Sequence, residues 1–318
     1  MLLQSCDIFD SNNGSSNHNG DYTEEILFIR YHDGVSELCV MGIDSSNLRI
    51  LLSVESGYSR DTMYDAAWSS DKSLIALNGG PNQSQEYPPI WLLNSEGQYL
   101  SILAELADQG FWKDDHIVCY HHPYGGYHCV DVNTLEDEPV FVNDLTDSIS
   151  YILYDFYEAD TWLATATRMY TTPSGGWEFG NNDIVLLDIL TEDRTYLTDT
   201  YDLNESCPKL SPDKSKVLFR APSNGVGYPI NIYITEIAGL NPQQATFFTE
   251  VNQYQTFPVR WGPYSDAVAF TNPDPMVNYP PDPGPFLDIF AVDLNTGIID
   301  TLSNWSGENI SSYIADWK

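Results

Sequence analysis

Four groups of residues in this chain could do chemistry. The first is a histidine cluster, His116, His121, His122 and His128. Clustered histidines suggest a metal. However, His121 and His122 are adjacent, so on a strand they point to opposite faces, and no carboxylate or cysteine completes a known ligand spacing. The second group is the 46 acidic residues. They offer oxygen ligands for calcium and carboxylate pairs for glycosidic cleavage, but the EF-hand order D-x-[DN]-x-[DN]-G is absent. The serine nucleophile elbow GxSxG is absent too. We therefore assign no catalytic residue and leave the metal open, with calcium in a central channel as the candidate cofactor.

The third group is the five cysteines. None forms a CxxC pair, which argues against a zinc ribbon or a redox motif. Cys119 and Cys129 flank a Pro-Tyr-Gly-Gly loop and should lie on adjacent antiparallel strands. Either a cross-strand disulfide or two buried thiols fits that placement. The fourth group is aromatic: Tyr87, Tyr124, Trp177, Phe179, Tyr228 and Tyr279, all in stretches rich in Gly, Pro and Asn. Such side chains stack on sugars or grip a peptide; they also pack loops onto a scaffold.

A repeat positions these residues. Trp68-Ser69-Ser70-Asp71-Lys72 leads into the apolar run Leu74-Ile75-Ala76-Leu77. The pattern returns at Leu210-Ser211-Pro212-Asp213-Lys214 and at Trp261-Gly262-Pro263-Tyr264-Ser265-Asp266, with weaker copies at Trp112 and Phe156. Each copy is followed by a second strand pair, as in Asp183-Ile184-Val185, Asn231-Ile232-Tyr233 and Asp288-Ile289-Phe290. Four short strands at a period of about 40–55 residues make the blade of a β-propeller. The run Glu25–Tyr31 lacks an inner partner, and Ile314-Ala315-Asp316-Trp317 fits that vacancy. We therefore expect an all-β, six-bladed propeller, closed by pairing the C-terminal strand with the N-terminal blade. Its inner-strand anchors are Trp68, Trp112, Phe156, Leu210, Trp261 and Trp317. The acids at the motif's recurring positions, Asp71, Asp188, Asp213 and Asp293, read as turn and capping groups. Loops at 78–89, 121–127, 170–182, 222–229 and 272–285 should emerge together on one face, where function most often resides.

The Trp-Ser-Pro-Asp and Asp-Ile-Tyr/Phe elements resemble the WD40-like (PD40) repeat of TolB-like propellers, over nearly the whole chain after about residue 24. The resemblance implies a non-enzymatic scaffold of the cell envelope that binds a protein or glycan through its loops. A propeller enzyme (glycoside hydrolase, lyase or lactonase) with channel carboxylates or calcium is the competing expectation.

The net charge of −33 over 318 residues lacks the basic footprint that nucleic acid requires. The acid excess is spread over every repeat, which suits a surface kept soluble in high salt. It also suits an acidic protein outside the cytoplasm. No apolar run is long enough to span a bilayer. Residues 1–23 read as a flexible polar tether ahead of a propeller at 24–318. Leu3-Gln4-Ser5-Cys6 resembles a lipobox, although no basic and apolar leader precedes it. If Cys6 is lipidated, the chain is a periplasmic or surface lipoprotein whose membrane contact is that anchor; otherwise a cytoplasmic location stands. A monomer is expected.

Overall fold

The computed structural model describes residues 24–55, 63–80, 87–107, 110–142, 148–172, 176–200, 203–222, 230–239, 241–248, 259–273, 287–303 and 310–318. The expected tether and Cys6 lie outside these residues, as do Tyr228 and Tyr279. Six antiparallel sheets of four strands make up the described fold. Their inner strands are Ser311–Trp317, Met63–Trp68, Gly110–Trp112, Ile149–Glu158, Ser206–Leu210 and Val259–Trp261, for blades 1 to 6 in turn. All six expected anchors lie in them.

The second strand of each blade is covered on both faces by neighbouring blades, so its sequence is a continuous apolar run rather than an alternating one. Val217, Leu218 and Phe219 are fully buried, as are Leu27 and Phe28. Opposite faces of one strand feed opposite seams. Leu27 packs with Trp68 and Leu77 between blades 1 and 2, while Phe28 packs with Ala269, Ile289 and Trp317 between blades 6 and 1. The core is thus a set of radial seams.

The repeat motif folds as its residue types require. Ser69 Oγ donates to Asp71 Oδ1, which also accepts from the Ser73 backbone N–H. Ser211, Asp213 and Ser215 repeat the arrangement. These donors hold both carboxyls down to about 2, the serine hydroxyl first in each case. Lys72 and Lys214 stand at φ 59° and 57°, and each reaches back to a carbonyl of the preceding blade, Lys318 and Tyr157. In the outer turns, Asp188 and Asp293 each accept two backbone N–H groups. A third device latches the outer strands: the Thr246 hydroxyl donates to Asn231, and that of Ser303 to Asp288. This explains the Asx-Ile element of the repeat.

One loop differs from expectation, and one open alternative is resolved. Residues 170–182 are mostly strand, because Thr161–Thr171 and Trp177–Asp188 extend as one long hairpin in blade 4. In blade 3, Cys119 and Cys129 face each other in register and are disulfide-bonded, so the buried-thiol alternative falls. Cys39 is a buried free thiol, pushed up to about 12 by burial.

Closure is by Ser311–Trp317, which pairs antiparallel with Glu25–His32. Ile314, Ala315 and Trp317 are all at most 3% exposed. Deleting residues 311–318 removes this strand from two seams. We expect unfolding free energy to fall by about 5 kcal/mol or more, from apolar area alone. Urea unfolding with an unchanged slope measures it; an unaltered midpoint would mean that blade 1 stands without this strand.

Candidate functional site

The residue before each anchor lies at the channel wall, although Phe111 chiefly packs on Trp162 in the seam of blades 3 and 4. These residues are Ala67, Phe111, Asp155, Lys209, Arg260 and Asp316, and all line a cavity of about 480 Å³ at the turn-side mouth. Charge is paired within it. Arg260 binds Asp65 through Nη2 at 2.6 and 2.8 Å and also donates to the Ala315 carbonyl. Asp316 Oδ2 accepts the Trp68 N–H at 2.9 Å, and Asp155 Oδ2 accepts the Leu210 N–H at 3.1 Å. Both bonds cross a blade seam. Lys209 donates to the Tyr154 carbonyl at 3.1 Å. Loss of hydration lowers its pKa, opposed first by Asp155. The channel acids therefore bind backbone and guanidinium groups as clamps between blades. Among the described residues, no group of three or more His, Cys, Asp and Glu side chains is placed to hold a metal ion.

The opposite face carries the loops. Tyr87 of blade 2 and Tyr124 of blade 3 meet edge to face, with centroids 6.2 Å apart. Tyr124 is 78% exposed, yet its turn is fixed: its N–H donates to His122 Nδ1 at 3.2 Å. Phe179 stands exposed on the third strand of blade 4, and Trp177 lies in the same strand. Of the six expected aromatics, the fold thus brings two into contact and places two on a different blade, and the other two lie outside the described residues. The histidines divide as strand alternation requires. His121 packs on Tyr127 and His122 on His128, while His116 sits by Asp114 in an inner turn.

A third feature escaped the sequence reading. At the seam of blades 4 and 5, Asp183, Asp199 and Thr200 line a loop-face cavity of about 510 Å³. Behind it, Glu205 is fully buried and bonds the Thr200 hydroxyl. Burial pushes Glu205 up to about 7, against the hydrogen bond from Thr200, and also raises Asp183. Nothing in the repeat pattern marks Glu205. The channel charges, by contrast, were legible by aligning the six pre-anchor positions.

The Glu205 shift has a sign. A carboxyl whose folded pKa is raised stabilises the fold fully below its ordinary value of 4.5 and loses that contribution as pH rises through about 7. We expect Glu205→Gln to abolish this pH dependence and to exceed the parent in stability at pH 8 by up to ~3 kcal/mol. Denaturation at pH 4.5, 6 and 8 tests it; parallel profiles for the two proteins would refute it.

No family model matches the sequence, and no curated protein matches it significantly. Solved structures do share the fold. TolB from Acinetobacter baumannii superposes with a TM-score of 0.66 at 16% identity, covering 93% of this chain and 68% of that one. A putative TolB from Agrobacterium tumefaciens gives 0.55 at 15% identity, covering 92% and 98%. The β-propeller domain of the Trilobed protease from Pyrococcus furiosus gives 0.54 at 12%, covering 89% and 95%. With six four-stranded blades and a C-terminal strand closing the first, the chain has the fold of a TolB-like propeller.

Proposed function

We propose that this chain is a non-enzymatic binding scaffold of the cell envelope, recognising a partner protein through its loop face. The observation that carries this reading is the display of Tyr124, whose turn is tied by His122 and whose ring meets that of Tyr87 across a blade seam. A large ring exposed to solvent on a hydrogen-bonded turn has the character of a binding anchor. The Cys119–Cys129 bond supports an oxidising compartment outside the cytoplasm. A glycan would use the same rings by stacking. The enzyme reading draws less support, because the channel acids are engaged in bonds that join blades. Calcium in the channel would have to displace those bonds.

The test is capture. The immobilised chain should retain a defined partner from an extract of the source cells' envelope. Tyr87→Ala/Tyr124→Ala/Phe179→Ala should reduce capture at least tenfold while the melting temperature moves by no more than a few degrees. Undiminished capture by this variant would sink the loop-face reading. Turnover of oligosaccharides or lactones that is lost in Asp155→Asn would favour the enzyme instead.

A further inference from the structure

Blade 4 departs from a rule that blades 5 and 6 keep. In those blades the Asx residue opening the outer latch is sealed, with Asn231 0% and Asp288 1% exposed. Asp183 holds the matching place before Ile184, but it is half-buried and forms part of the wall of the 510 Å³ cavity. A second departure lies directly behind. Glu205 is fully buried; its Oε1 takes the hydroxyl of Thr200, itself a wall residue, and its Oε2 has no hydrogen-bond partner among the described residues. Where one repeat breaks a pattern that its neighbours keep, function is the usual reason.

We propose that this cavity is a receptor pocket for a cationic side chain, an arginine or lysine presented by a basic partner segment. The proposal rests on the scaffold reading and deepens it by naming the partner's chemistry. Asp199 offers an exposed carboxylate and Asp183 a second, whose Oδ1 already accepts the Thr200 N–H at 3.3 Å; the exposed Tyr170 ring lines the same cavity and offers a π face. Arg168 is a cation in the wall, but its guanidinium is bonded to the Tyr196 hydroxyl, and it acts on Asp183 less than Asp199 does. Arg168 keeps its charge, and one cation against two carboxylates leaves the pocket an anionic surplus. The net charge of −33 steers basic partners towards the whole surface, and this cavity gives one side chain a place to dock.

Glu205 adds a signature. It is faced by Asp183 from the third strand of blade 4 and by Thr198 and Thr200 from the connection to blade 5; Arg168 stands beyond Asp183 on the second strand. Near neutral pH it is partly protonated, so a cation entering the pocket should expel its proton.

The experiment is calorimetry of the full chain with penta-arginine at low ionic strength, in two buffers of different ionisation enthalpy, with penta-citrulline as the neutral control. We expect saturable binding of penta-arginine with proton release, and none of penta-citrulline. Asp183→Asn/Asp199→Asn should weaken binding at least tenfold; asparagine is native at the matching place in blade 5, Asn231, so the fold tolerates it. Asp33→Asn/Glu138→Gln removes the same charge from exposed positions elsewhere and should leave binding unchanged. Glu205→Gln should bind without releasing a proton. Equal weakening by both double variants, or no binding at all, would overturn the proposal. So would partner capture that survives Asp183→Asn/Asp199→Asn; if that capture is still lost in the aromatic variant, the scaffold reading stands alone.

Discussion

The structure depends on one pairing, that of Ser311–Trp317 with Glu25–His32. Every blade leans on two neighbours, so a ring with one gap would expose two apolar seams at once. The closing strand fills both. Ile314 and Trp317 join the seam of blades 6 and 1, while Ala315 joins that of blades 1 and 2. Its carboxylate Asp316 then accepts the Trp68 N–H of blade 2. The same bond recurs across the ring between Asp155 and Leu210, so the closing strand does for its neighbour what an internal strand does.

This arrangement decides what the channel can do. A carboxylate that accepts a backbone N–H of the next blade, or grips a guanidinium as Asp65 grips Arg260, is fixed in place and partly satisfied. Such groups make the channel rigid. Moving them to bind or transfer a proton would loosen the seams they join. The loop face is less constrained: there the rings of Tyr124 and Phe179 and the carboxylate of Asp199 are exposed, while Asp183 is half-buried and accepts the Thr200 N–H.

Much of the fold was legible in the sequence, because each motif residue answers a local demand. Ser69 and Asp71 specify a tight turn, Asx before isoleucine specifies the outer latch, and an apolar run specifies the doubly covered second strand. Repetition multiplies these weak signals until even the degenerate copies at Trp112 and Phe156 are recognisable. The candidate sites were less legible. Tyr87 and Tyr124 were named for their type, but their contact depends on the approach of two blades. Glu205 could not be named, since its character comes from being buried beside Thr200 and Asp183, residues that only the fold brings to it. The long hairpin of blade 4 was misread because its Gly-rich sequence suggests a loop, whereas cross-strand pairs such as Met169 with Phe179 carry the ladder onward.

The register at the closure also sets how the ring responds to force. Glu25 and Lys318 exchange backbone hydrogen bonds in both directions, so the two flanks of the closing pair leave it side by side. A pull between them loads the ladder one rung at a time, as a zipper is opened, rather than shearing all its rungs together. A tension applied there would open the ring at low force, whereas the same tension applied along the strands would meet the whole ladder.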